Sequence, residues 1–235
     1  MLTIVFDLDG TLVDTAPDLI GTLNLIFTQH GLSAVPLEAS RPLIGGDARA
    51  MIERALVAEG RNPSAADVDA LYAPFIAHYA ARIADRSRAY PQVEMALDRL
   101  AERGHQLAVC TNKLEWLSKR LLDTLHLAGR FAAICGQDTF GVQKSDPEIF
   151  RQTVRRAGGD PKRAVMVGDS ATDLRTARAA GAPVIAVDFG YADVPVATLG
   201  PDRVISSFAA LPGAVADLAS AKNMVDDQAF IGHKS

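Results

Sequence analysis

The chain has 235 residues, of which 49% are hydrophobic and 22% charged, with a net charge of −4. That length and mixture suffice for a packed core without disulfides or structural metals, in one domain or in one carrying an inserted subdomain. The mildly negative balance argues against nucleic acid or an anionic membrane as the main partner, so any anionic ligand needs a local cationic site.

Leu2 to Phe6 is a short apolar run rich in β-branched residues, ended by acids and Gly10, which predicts a buried strand. No basic leader with a cleavable apolar core opens the sequence. Nor does any stretch approach the ~20 apolar residues that span a bilayer. The expectation is a soluble cytoplasmic protein. From about Ala16 to Arg88 no strand-like run occurs. Helical patterns cover Asp18–His30, Asp47–Glu59 and Ala65–Asp85, with Leu19, Leu23 and Ile26, then Leu71, Phe75 and Tyr79, at helical spacing. This predicts a helical subdomain inserted after the first strand, seated over the carboxyl edge of the sheet, where open α/β proteins bind ligands. The expected boundaries are 1–15 and 88–220 for an α/β core and 16–87 for the insert.

Beyond the insert, strand-like runs at Gln106–Cys110, Phe131–Cys135, Ala164–Val167 and Pro183–Val187 alternate with helical segments. Those helices are expected at Val93–Arg103, Leu114–Leu125, Pro147–Ala157 and Ala171–Ala180, with Gly104, Asp146-Pro147 and Gly181 as boundary signals. Such alternation implies right-handed crossovers and a mostly parallel sheet covered on both faces. Cys110 and Cys135 lie in apolar runs and read as reduced core residues, without the clustering that zinc requires. The polar stretch from Ala221 to Ser235 has no pattern and is expected to fray.

Chemistry gathers at the strand ends. In Asp7-Leu8-Asp9-Gly10-Thr11-Leu12-Val13-Asp14-Thr15, two acids spaced two apart leave a buried strand on the same side. An Asp-Gly turn explains Asp9-Gly10 but not Asp7. Paired carboxylates there repel and lose solvation, so a hard cation such as magnesium suits them. Thr111-Asn112-Lys113 follows the next strand; a hydroxyl beside free backbone N–H groups can hold a phosphoryl oxygen, although Thr-Asn before a helix is more often a cap. Lys144 precedes the helix opened by Asp146, where a lone lysine is usually solvated. Asp169 ends a further strand in Gly168-Asp169-Ser170, and Asp173 comes one helical turn later.

In that order the four motifs resemble those of the haloacid dehalogenase-like hydrolase superfamily: Asp7-Leu8-Asp9-Gly10-Thr11, Thr111-Asn112, Lys144, and Gly168-Asp169-Ser170 with Asp173. The likeness runs to about Phe208 and implies a Rossmann-like core with a helical cap. Ala108 to Lys113 and Gly190-Tyr191 are similar to its phosphoglycolate phosphatase branch. The resemblance implies Mg2+-dependent hydrolysis of a small phosphate monoester, 2-phosphoglycolate, through an aspartyl-phosphate on Asp7. Asp9 would act as general acid and then base, and Lys144 would offset phosphate charge. Asp7, Asp169 and the backbone carbonyl of Asp9 would hold the metal, with Asp173 ordering its water. Gly10, Thr111 and Asn112 would seat the phosphoryl group. Two cations are candidates for the substrate's carboxylate: Arg49, beyond the Gly45-Gly46 turn, and Lys113. The family usually has proline after the lysine, and Ser145 stands there instead; serine frees the φ that proline fixes.

Other functions stay open to different degrees. A phosphatase for another small ester or sugar phosphate, or a sugar-phosphate mutase, would share all four motifs. A dehalogenase needs no Asp9, and a phosphonate hydrolase would bring a lysine to the insert, where Ala16–Asp85 has none. A non-enzymatic phosphate-binding scaffold would be expected to have lost a charged motif residue. The expected partner is a small phosphorylated metabolite, for a monomer or homodimer.

Overall fold

A computed structural model describes residues 1–37 and 40–220; the tail expected to fray lies outside them. Strands β1 (Thr3–Phe6), β4 (Gln106–Cys110), β5 (Ala133–Cys135), β6 (Ala164–Gly168), β7 (Val184–Val187) and β8 (Arg203–Ile205) form one sheet. Its order is β5-β4-β1-β6-β7-β8, and every neighbouring pair is parallel. A short antiparallel ribbon, β2 (Val13–Asp14) with β3 (Arg88–Ala89), completes the strands.

The central strands are apolar at almost every position because both of their faces are covered. Alternate residues feed separate cores. Ile4, Phe6, Leu107, Val109 and Val167 join one cluster, and Val5, Ala108, Cys110 and Met166 the other. Helices α4 (Val93–Glu102) and α5 (Glu115–Thr124) close the first face through Leu97, Leu100, Leu117 and Leu121. Helices α6 (Pro147–Arg156) and α7 (Ala171–Ala180) close the second through Phe150, Val154, Leu174 and Ala177. Cys110 and Cys135 face one another in the β4–β5 register, buried and free, as expected of core thiols.

Between β2 and β3 run α1 (Ala16–Gln29), α2 (Ala48–Ala58) and α3 (Ala65–Ala81). Their apolar stripes meet in Leu23, Phe27, Ile52, Leu56, Phe75 and Tyr79 and continue into the first core. Asp47 caps α2 by accepting from the Ala50 amide, and Ser64 with Asp67 forms a capping box on α3. Helix α3 stops at Ala81, short of the expected Asp85. The buried Asp18 carboxylate takes the Arg86 and Ser87 amides at 2.7–3.1 Å, which draws that segment out of the helix. Two further differences come from short elements. The β2–β3 ribbon is two residues per strand, and β8 is a three-residue edge, so neither is long enough to show a period. Among the described residues no helix is long and apolar enough to cross a membrane.

Candidate active site

The Asp7 amide donates to the Val167 carbonyl at 2.9 Å, which extends the β1–β6 pairing one residue past β1. Asp7 therefore sits at the carboxyl edge of the central strand, with α1–α3 beyond it. The chain turns at once. Gly10 has φ +81°, and a Cβ there would lie 2.5 Å from Asp169 Oδ2 and 2.7 Å from the Tyr191 ring, so only glycine fits. A Cβ on Gly168 would strike the Asp173 carboxyl in the same way. These glycines let two loops close on the acids.

Asp7, Asp169 and Asp173 are all buried, and each offers a carboxylate oxygen within 4.8 Å of the others. Lys144 Nζ lies 2.8 Å from Asp7 Oδ1 and donates to Asp173 Oδ1 at 2.7 Å. The other Asp173 oxygen accepts from the Ser170 amide and hydroxyl, forming the capping box that starts α7. Asp169 accepts from the Thr11 hydroxyl at 2.9 Å and the Tyr191 amide at 2.7 Å. Three carboxylates share one ammonium, which leaves the buried cluster short of positive charge and suited to a hard divalent cation.

The electrostatics follow. Burial first, and then Asp173 and Asp169, push the Asp7 carboxyl up to about 8 against the pull of Lys144. Burial and Asp173 push Asp169 up to about 7, although Tyr191 and Thr11 donate to it. Burial opposes the charge on Lys144, but Asp173 and Asp7 outweigh it and hold the ammonium above the ordinary lysine range. Unfolded aspartates titrate at about 3.9. The folded chain therefore binds more protons than the unfolded one up to the folded values, about 7 and about 8. Stability of the metal-free protein should fall as pH rises through that window. A divalent cation replaces those protons, so the stabilisation it adds should grow across the same window. Urea midpoints in chelator and in excess magnesium, at acid and alkaline pH, measure both trends. A metal-free midpoint that climbs throughout would contradict this arrangement.

Asn112 and Lys144 are locked together. The Asn112 amide donates to the Lys144 carbonyl at 3.1 Å, and its oxygen accepts from the Lys144 amide at 2.8 Å. The backbone stiffness that Ser145 does not supply is thus provided by Asn112, while the Ser145 hydroxyl accepts from Arg175 at 3.2 Å. Thr111 stands at the end of β4, its hydroxyl accepting from the Lys113 amide at 3.2 Å. The Lys113 side chain is buried, with Nζ 3.0 Å from Asp9 Oδ2. Burial opposes its charge, yet Asp9 and Tyr79 hold the ammonium above the usual range.

Two expectations change here. The Asp9 carboxylate lies outside the three-acid cluster. It accepts from the Thr15 hydroxyl at 2.7 Å and faces Lys113. Arg49 is not among the residues lining the cleft over Asp7. It pairs with Asp69 at the surface and lies 4.3 Å over the ring of Tyr72, which does line the cleft.

That cleft, with a cavity volume of about 90 Å³, runs from Asp7, Thr111 and Lys144 to Tyr79 and Met51 of the helical layer. Tyr191, in sequence no more than part of a family resemblance, holds a structural position. Its hydroxyl accepts from the Thr15 and Ala16 amides at 2.7 and 2.9 Å and donates to Asp14 at 2.6 Å, fixing the passage into α1. A tyrosine so remote in sequence carries no local sign of such partners.

Fold and cleft together are those of an α/β enzyme whose chemistry lies at the carboxyl edge of a parallel sheet. The chain belongs to the haloacid dehalogenase-like hydrolase family, whose model matches residues 4–187. It is 50% identical to a phosphoglycolate phosphatase of Mesorhizobium japonicum, over 88% of this chain and 92% of that one. A phosphoglycolate phosphatase of Agrobacterium fabrum is 47% identical over 90% and 91%. Among solved structures, a predicted phosphoglycolate phosphatase from Haemophilus somnus superposes with a TM-score of 0.84 at 28% identity, covering 91% of this chain and 97% of that one.

Proposed function

We propose that this protein is a magnesium-dependent phosphatase that converts 2-phosphoglycolate to glycolate and phosphate through an aspartyl-phosphate on Asp7. The observation that carries the reading is the buried Asp7–Lys144–Asp173 bridge beside Asp169, open to a cleft. The named relatives supply the substrate. Magnesium fits because the donor set is all oxygen and carries more negative charge than Lys144 cancels. Asp7, Asp169 and the carbonyl of Asp9 would hold the ion, and Asp173 would order its water; once bound, it would offset charge on the phosphoryl oxygens.

A phosphate dianion repels an approaching carboxylate, so cations and N–H donors must first meet its oxygens. Lys144, the Thr111 hydroxyl and nearby backbone amides do this. Asp7 then forms an O–P bond as the ester P–O bond breaks. Asp9, steadied by Thr15, enters the step protonated and gives that proton to the departing glycolate oxygen. It next takes a proton from the water that attacks phosphorus, releasing phosphate and restoring Asp7. Asp173 positions Lys144 through their bond. Residues 16–87 act as a cap over the core formed by 1–15 and 88–220.

Phosphate release from a panel of small monoesters tests the reading. With magnesium, 2-phosphoglycolate should be turned over best, and excess chelator should abolish release. Undiminished activity in chelator, or an isomerised sugar phosphate in place of free phosphate, would overturn it.

A further inference from the structure

Resting on that reading, we propose that the Tyr79 hydroxyl and the Lys113 ammonium together form the subsite for a carboxylate on the leaving group. Tyr79 would then be the specificity-determining residue contributed by the helical layer. It stands near the end of α3, 1% exposed, and its hydroxyl has no partner at hydrogen-bond distance and angle, with Lys113 as its charged neighbour. Buried hydroxyls are rarely left unpaired, so one that lines a substrate cleft marks a place where a ligand completes the pairing. The ring cannot easily turn away, because Phe75 stacks on it at 5.9 Å. Burial pushes the phenol up to about 12, which keeps it a donor at neutral pH.

Lys113 supplies the charge. It and Lys144 are the cations among the described residues lining the cleft, and Lys144 is committed to Asp7 and Asp173. Lys113 Nζ sits 3.0 Å from Asp9 and 4.7 Å from the Tyr79 ring centroid, so it spans the general acid and the tyrosine. An ammonium has three donors, and Asp9 occupies one. Asp9 must come within hydrogen-bond distance of the ester oxygen, which puts that oxygen roughly 5–6 Å or less from Lys113. A carboxylate on the adjoining carbon then comes within reach of Lys113 and of the tyrosine on which the ammonium rests. A neutral or longer leaving group would satisfy neither.

The test compares wild type and Tyr79→Phe on 2-phosphoglycolate and on ethyl phosphate, which has the same two carbons without the carboxylate. Wild type should prefer the carboxylate strongly. Tyr79→Phe should cut that preference by roughly ten-fold or more, chiefly through KM, since a hydrogen bond to a charged group is lost. Its thermal midpoint should match or exceed that of wild type, because an unpaired buried hydroxyl is removed. An unchanged preference in the variant would overturn the inference and leave the phosphatase reading standing. A wild type without preference would overturn both. An equal loss on the two esters, or a lowered midpoint, would make Tyr79 a packing residue and overturn the subsite.

Discussion

Asp7→Asn is expected to leave a folded protein with turnover lower by at least about 10⁴-fold, the scale of loss when a covalent nucleophile is removed. An amide has no anionic oxygen to form the acyl phosphate. The fold should survive because the substitution preserves shape, keeps the Val167 pairing of the Asp7 backbone, and removes one of three carboxylates packed within 4.8 Å. Relief of that repulsion should offset the loss of the contact with Lys144. Single-turnover phosphate release and a melting curve measure the two effects together. Retention of a substantial fraction of wild-type activity in magnesium would remove Asp7 from the nucleophile's role.

Lys144→Ala should damage both stability and catalysis. The ammonium is buried between Asp7 and Asp173 at 2.8 and 2.7 Å, so its loss strands carboxylates in a place that water hardly reaches. Removing one partner of a buried ion pair costs about 3–5 kcal/mol. The cost should depend on pH. The Asp7 carboxyl is already lifted by burial and by Asp173, and without Lys144 it rises further, so at acid pH protonation relieves the variant. The gap between wild type and Lys144→Ala should therefore widen as pH increases. Urea denaturation of both proteins in chelator, from acid to alkaline pH, reads this directly. A constant gap would mean that packing of the lysine stem, not charge, holds the site. Lys144→Met, which keeps the stem and drops the charge, should reproduce the pH trend with a smaller loss at acid pH.

Much of the protein was legible in the sequence because its signals are local. Four of the five expected strands match the structure to within a residue, since a buried parallel strand is a continuous apolar run. The fifth begins two residues late, at Ala133, because residues 128–130 form a turn of 3-10 helix first. Helix limits followed from caps that are themselves sequence features, Asp146 and Pro147 before α6 and Gly181 after α7. Strand ends also placed Asp7, Thr111 and Asp169 on one edge, because alternation and crossover handedness leave little freedom.

What the tertiary structure alone decided is pairing between residues far apart in the chain. Arg49 and Lys113 were equal candidates in sequence; helix phase turned Arg49 to Asp69, while the exit from β4 buried Lys113 against Asp9. The Asn112 clamp on Lys144 spans 32 positions and the Tyr191 hydroxyl reaches back 176 to Thr15, separations that no local period reports. Side-chain direction and the desolvation that sets the charge of Asp7, Asp169 and Lys144 exist only once the sheet has closed. For that reason the sequence could name the acids and the lysine, and only the packed structure could say which of them share an ammonium or a cleft.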